Sequence, residues 1–157
     1  MRRKEKEIHS NEAIEAILRG ANVGRLGTVS GDGAPMIKPL NFVYRGGKIY
    51  FHTAPEGEKI EHLTSNPRVC FETEEVLGYI PASDSPCQSN FAFRSVIVQG
   101  RARMLREPVE KIAALEDLMA KYQPGAKPRP FTGAMVEGVG VVEITVESMT
   151  GKANRVP

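Results

Sequence analysis

Cysteine and histidine are scarce in this chain and tryptophan is absent. The two cysteines, Cys70 and Cys87, are too few for a disulfide framework, and a reducing cytoplasm is the expected compartment. No Cys-x-x-Cys pair occurs, and the three histidines, His9, His52 and His62, are not spaced to gather on one ion, so no metal site is expected. Gly-x-Ser-x-Gly and His-Glu-x-x-His are missing too, which removes the common hydrolytic machinery. No apolar run is long enough to span a bilayer, so no membrane contact is expected. The basic Arg2-Arg3-Lys4 has no apolar stretch behind it, so no signal peptide is expected either. Charge of one sign is also lacking. The formal net charge is +2, and Glu5 and Glu7 follow the basic cluster at once, which argues against a nucleic-acid partner.

What is present describes a globular chain, 41% hydrophobic and 25% charged. Its 157 residues make most simply one domain, 1–157, with the first ten as a mobile, solvated leader. Ser10 or Asn11 can cap a helix to about Arg19, with Ile14, Ile17 and Leu18 as its apolar face. Strand character follows from Val23 to Val29. Gly24 and Gly27 inside it point to a bulge or a close backbone approach. Ser30-Gly-Asp-Gly33 reads as a hairpin turn, and Pro39 places the next segment, 35–44, at a sheet edge or on a bulge. Residues 68–74 read as strand, 77–90 as a long loop and 91–105 as the longest strand. Pro108 opens an amphipathic helix to about Tyr122, whose stripe of Ile112, Leu115, Met119 and Tyr122 reads as core or interface. Residues 123–130 are a stiff connector, 139–147 a strand, and 150–155 a polar, basic tail. The hairpin turns argue for a mainly β, antiparallel arrangement, a small closed or partly closed barrel with helices outside.

One stretch organises the chain. Residues 48–53 form a strand that breaks at Ala54-Pro55, and a short helix restarts at about Glu56 and stops before Pro67. A helix start after a Gly-containing turn offers free N–H groups and the positive end of its dipole to an anion. Thr53 adds a hydroxyl, Gly57 the turn, and Lys59 a full charge, so the stretch can cradle a phosphate. The same residues also describe an ordinary strand–turn–helix with a solvated lysine. His52 stands beside this corner and is the candidate for catalysis; packing against its neighbours is the other reading.

Several ordered segments together resemble a known family. They are Gly24-Arg-Leu-Gly27, Pro39-Leu-Asn-Phe-Val43, Ile49-Tyr-Phe-His-Thr53 with Glu56-Gly-Glu-Lys59, Asn66-Pro-Arg-Val-Cys-Phe71, Pro86-Cys87, Arg94-Ser-Val96 with Gly100-Arg-Ala102, and Thr150-Gly-Lys152. In that order, over about 22–152, the chain resembles the nitroimidazole-resistance branch of the pyridoxamine 5′-phosphate oxidase-like flavoproteins. The resemblance implies a split β-barrel and a homodimer with FMN in two grooves between subunits. It implies that Lys38, Pro39, Leu40 and Asn41 run along the flavin ring and ribityl chain, and that His52 and Thr53 touch the cofactor. Lys59, after Gly57, would grip the phosphate. Ser95 and Val96 would line the ring, and Lys152, with Arg155 near it, would approach from the partner subunit.

The chain departs from the family where the oxidases carry Ser-Arg-Lys. Here the residues are Gly57-Glu58-Lys59, and Lys38 stands near where those enzymes keep an arginine. The indole that some relatives stack on the flavin is missing, leaving Phe91, Phe93 and Phe131 as aromatic candidates. The implied function is an FMN-dependent oxidoreductase passing electrons from a nicotinamide or another donor to a small acceptor such as a nitroaromatic. The alternatives are a non-catalytic flavin-storage or sensor protein, or the same barrel holding haem or a deazaflavin.

Overall fold

The computed structural model describes residues 3–82, 89–127 and 130–154. Helix α1, Asn11–Gly20, starts where Ser10 accepts a hydrogen bond from the Ala13 N–H at 3.2 Å, and it buries Ile14, Ile17 and Leu18. Strands β2, Gly24–Val29, and β3, Pro35–Leu40, form a hairpin closed by the Ser30 N–H to Ala34 O at 2.9 Å, with Gly33 at φ +92°. After β3 come β4, Val43–Arg45, and β5, Lys48–Thr53. Helix α2, Glu58–Ser65, precedes the long hairpin of β6, Arg68–Ile80, and β7, Asn90–Met104. Helices α3, Pro108–Tyr122, and α4, Gly133–Glu137, lead into β8, Gly140–Asn154.

All strand pairs are antiparallel, in the order β3-β2-β6-β7-β8-β5-β4. The two edges of that order, β3 and β4, follow each other in the chain, with Asn41 and Phe42 between them. A link that short reaches only about 10 Å, so the sheet must curl until its edges nearly meet. The result is a split antiparallel barrel with helices outside, as expected. Pro39 lies on edge strand β3, where its missing N–H breaks no ladder.

Phe42, Phe51, Phe71, Leu18 and Leu26 fill the barrel core, with the Phe42 and Phe71 rings edge-on at 4.8 Å. A Cβ at Gly24 would fall 2.0 Å from the Phe71 ring, so this glycine is the close approach its position suggests. A second apolar cluster lies under α3 and α4, around Tyr50, Leu105, Leu115, Leu118, Val136 and Val141. The start of β8 is therefore buried on both faces. It carries a buried carboxylate, Glu143, which accepts from Arg103 Nε at 2.8 Å, Lys48 Nζ at 3.0 Å and the Tyr50 hydroxyl at 3.1 Å. Burial alone would raise the Glu143 pKa, but these donors together hold it below the usual carboxylate range.

The structure corrects three sequence expectations. Strand β6 runs past Glu74 to Ile80 through a bulge at Val76/Gly78, so the expected loop starts later. The polar tail is the end of β8: Lys152 pairs with Ser95 of β7 on one side and Glu7 on the other. That second pairing, by strand β1, Glu7–Ile8, also ties the leader to the barrel. After the expected connector, in a stretch for which the sequence predicts no element, a further helix, α4, starts where the Thr132 hydroxyl accepts from the Met135 N–H at 3.4 Å. Among the described residues no helix is long and apolar enough to cross a membrane. Cys87, Pro86 and Arg155 lie outside the described residues.

Candidate functional site

Eight of the expected site residues lie where edge strand β3 and the link after it approach the end of β5 and the start of α2. Strand β5 ends at Thr53, opposite Gly140 of β8. A Cβ on Gly140 would sit 2.7 Å from Ala54 O and 3.0 Å from the Thr53 methyl, so glycine there lets the end of β5 lie close. Four residues after Thr53, Gly57 takes φ +110°, a conformation that disfavours any side chain, and caps α2 with its backbone only. The Gly57 carbonyl accepts from the Ile60 N–H at 2.7 Å and the Glu61 N–H at 3.1 Å. The helix start thus has no side-chain cap, and its first amides face outward with the positive end of the dipole.

Two cations meet at this corner. Lys59, half-buried in the first turn of α2, lies 5.3 Å over the Phe51 ring and has no ion-pair partner among the described residues. Burial, and then the charge of Lys38, push its pKa below the ordinary lysine value. Lys38 reaches across from β3 to Glu58 at 3.6 Å. Glu58 thus offsets one of the two lysines, and, although Glu61 also stands in the first turn, Lys59 is left without an ion-pair partner among the described residues to meet an added anion.

Asn41 and His52 stand beside the corner, both exposed, at the mouth of a cavity of about 360 Å³. The rest of its lining includes Leu115, Met119 and Tyr122 of α3, Phe131 just before α4, and Met135 of α4. The α3 stripe thus does two jobs, since Leu115 and Tyr122 pack in the second core and, with Met119, also line the cavity. Only Phe131, among the aromatic candidates, lines this space; Phe91 packs on Tyr79 at 5.4 Å and Phe93 lies under Lys152. His62, by contrast, is buried with Nδ1 3.1 Å from the Thr28 hydroxyl, so it belongs to the core.

Pro39 and Leu40 lie on β3 beside Lys38, with Leu40 turned partly into the core. The remaining expected residues are elsewhere on the chain. Ser95 pairs with Glu74 and Lys152 in the middle of the sheet, and the Val96 side chain is fully buried in the barrel core. Along β8, Lys152 is twelve residues from Gly140, the partner of Thr53. At about 3.3 Å per residue that is up to about 40 Å of strand. A single chain therefore brings together Lys38, Pro39, Leu40, Asn41, His52, Thr53, Gly57 and Lys59, and holds Ser95, Val96 and Lys152 apart from them.

Among the described residues no group of three His, Cys, Asp or Glu side chains could hold a metal ion. No curated protein matches the chain. A family model described as pyridoxamine 5′-phosphate oxidase matches residues 10–153. Among solved structures, one from Bacteroides thetaiotaomicron, provisionally named a 5-nitroimidazole antibiotic resistance protein, is 30% identical, with 93% of this chain and 85% of that one covered and a TM-score of 0.78. A flavocytochrome from Azotobacter vinelandii is 23% identical, covering 100% of this chain and 73% of that one at a TM-score of 0.88. An FAD- and haem-binding protein from Mycobacterium smegmatis is 19% identical, covering 96% and 74% at a TM-score of 0.86. These last two share the fold. The match to the family model over nearly the whole length, the split barrel and the likeness to the Bacteroides protein place the chain in the pyridoxamine 5′-phosphate oxidase-like family.

Proposed function

We propose that the chain is an FMN-binding oxidoreductase of the nitroreductase kind, working as a homodimer. The observation that carries this reading is the corner at Thr53, Gly57 and Lys59. An uncapped helix start and a half-buried lysine with no ion-pair partner among the described residues stand where a flavin phosphate would lie. FMN held there would supply the redox chemistry between a nicotinamide or similar donor and a small acceptor.

The protein's own part is positioning. Lys59 and the first α2 amides hold the phosphate, with Lys38 adding positive charge from β3 and the Thr53 hydroxyl a further donor. Pro39, Leu40 and Asn41, on and just after the edge strand, offer apolar surface and polar groups to the ring and its chain. Exposed at the cavity mouth, His52 can donate a proton to the acceptor or orient it. The likeness to the Bacteroides protein supports a nitroaromatic acceptor.

Lys152 joins this site in the dimer, contributed by the partner subunit, and the outward face of β7 at Ser95 comes with it; Val96, buried and paired on both sides, supports that strand from within the barrel. Support comes from the apolar side chains left in solvent on the β6–β7 arm, including Val76, Leu77, Tyr79 and Phe91, which a second copy would cover. A haem reading would rest on His52 alone, because His62 is committed to Thr28.

The test is anaerobic mixing of the FMN-loaded protein with reduced nicotinamide, followed by a nitroaromatic. The flavin band should bleach and then recover with consumption of the nitro compound, and light scattering should give a dimer. Bound flavin that no physiological donor reduces would make this a storage or sensor protein.

A further inference from the structure

The cavity behind Asn41 and His52 has no Asp, Glu, Lys or Arg among its described lining residues. Leu115 and Leu118 form its floor, and Met119, Phe131 and Met135 its walls. Tyr122 contributes its ring, because its hydroxyl is occupied: it accepts from the Phe42 N–H at 2.9 Å and can donate to Asn22 O at 2.7 Å or Phe42 O at 2.9 Å. The neighbouring Lys121 is turned away onto the carbonyls of Ala21 and Phe42. The polar groups of the lining are the Asn41 and Gln123 amides and the His52 imidazole. A cavity of about 150 Å³ is enough for benzene. The 360 Å³ here therefore admits a substituted ring or two fused ones.

We infer that this cavity is the acceptor site and that it selects uncharged, flat aromatic molecules over anionic ones of the same shape. Thioethers adapt to a flat ring and make favourable contacts with it. A carboxylate drawn into the same space would lose hydration with no Lys or Arg of the described lining to replace it, since His52 stands only at the mouth. The amides of Asn41 and Gln123 can instead pair with a neutral polar substituent. The role as acceptor site rests on the flavoprotein reading; the choice of neutral over charged ligands rests on this lining alone.

The experiment uses the full chain as purified, with benzamide and benzoate as matched probes that differ in charge and little in shape. Calorimetric titration reads binding, and absorbance reads flavin content separately. Benzamide should bind at least about tenfold more tightly than benzoate, given the cost of burying a charge. Met135, on α4 and 53% exposed, can be changed without opening the core. Met135→Lys should cut that preference at least about tenfold by placing a cation at the wall, while Met135→Leu should leave it in place. Flavin content should stay the same in both variants. Equal binding of the two probes, or a preference that Met135→Lys does not move, would overturn the inference with the flavin still bound. Charge-selective binding in protein that takes up no flavin would uphold the cavity and remove the flavoprotein reading.

Discussion

Lys121 gives the sharpest quantitative test of how the site is held. Its ammonium, at the end of α3, donates to Ala21 O at 2.6 Å and Phe42 O at 2.9 Å and lies 4.1 Å over the Phe42 ring. Phe42 follows Asn41, so this contact fixes the β3–β4 link at the cavity mouth. Burial pushes the Lys121 pKa down from 10.5 to about 8. In the unfolded chain the lysine keeps its proton to about 10.4. Between those two pH values the unfolded state binds more protons, so stability rises with pH; below about 8 the cost of the buried charge is fully present. At about 1.36 kcal/mol per pH unit the window is worth about 3 kcal/mol at most, and the solvent-facing part of the side chain reduces this to about 1–2 kcal/mol. The assay is urea unfolding from pH 7.5 to 10.5 for the wild type and for Lys121→Met. The wild type should gain about 1–2 kcal/mol on the variant across that range. Parallel curves would show that Lys121 titrates as an ordinary lysine and that the latch on Phe42 carries no buried charge.

Three further outcomes follow from the same geometry. Lys59→Ala should weaken FMN about tenfold to a hundredfold, the worth of one hydrogen bond to a charged group, and leave riboflavin affinity unchanged; equilibrium dialysis would measure both. His52→Ala should lower turnover at least about tenfold with FMN affinity nearly unchanged, and equal turnover would remove His52 from the chemistry. Gly24→Ala places a methyl 2.0 Å from the Phe71 ring and should cost about 1–3 kcal/mol, read as a lower melting temperature; an unchanged melting temperature would show that Phe71 repacks freely.

Much of the barrel was legible wherever one face of an element is buried and the other wet. The cap at Ser10, the hairpin at Ser30 and the bounds of β5 all follow local chemistry that the fold leaves intact. The pattern fails where that asymmetry disappears. From Glu74 to Tyr79 the residues of β6 are exposed or half-exposed, so no period marks the strand there. The end of β8 is polar yet paired on both sides, and the pairing partners, β7 and β1, lie far away in sequence. Helix α4 is five residues long, too short for a helical period.

The site divides in the same way. The corner at Thr53, Gly57 and Lys59 can be read from residues adjacent in sequence, because a strand end, a turn and a helix start suffice to build it. The cavity wall could not be read so. Leu115 and Tyr122 both pack in the second core and line the cavity, so the stripe they share with Met119 reads the same whether it meets core or ligand. A cue was present in Thr132, a capping residue followed at once by Gly-Ala-Met-Val. Ser95, Val96 and Lys152 entered through the family resemblance, and the strand register shows why no local pattern joins them to the corner.

The most direct test of the central claim is the affinity of flavin-stripped protein for FMN against riboflavin, two ligands that differ by the phosphate. If the open start of α2 and Lys59 hold that phosphate, FMN should bind about a hundredfold or more tightly, from at least two charge-assisted hydrogen bonds. Equal affinities would place the flavin elsewhere, or nowhere, and contradict the account.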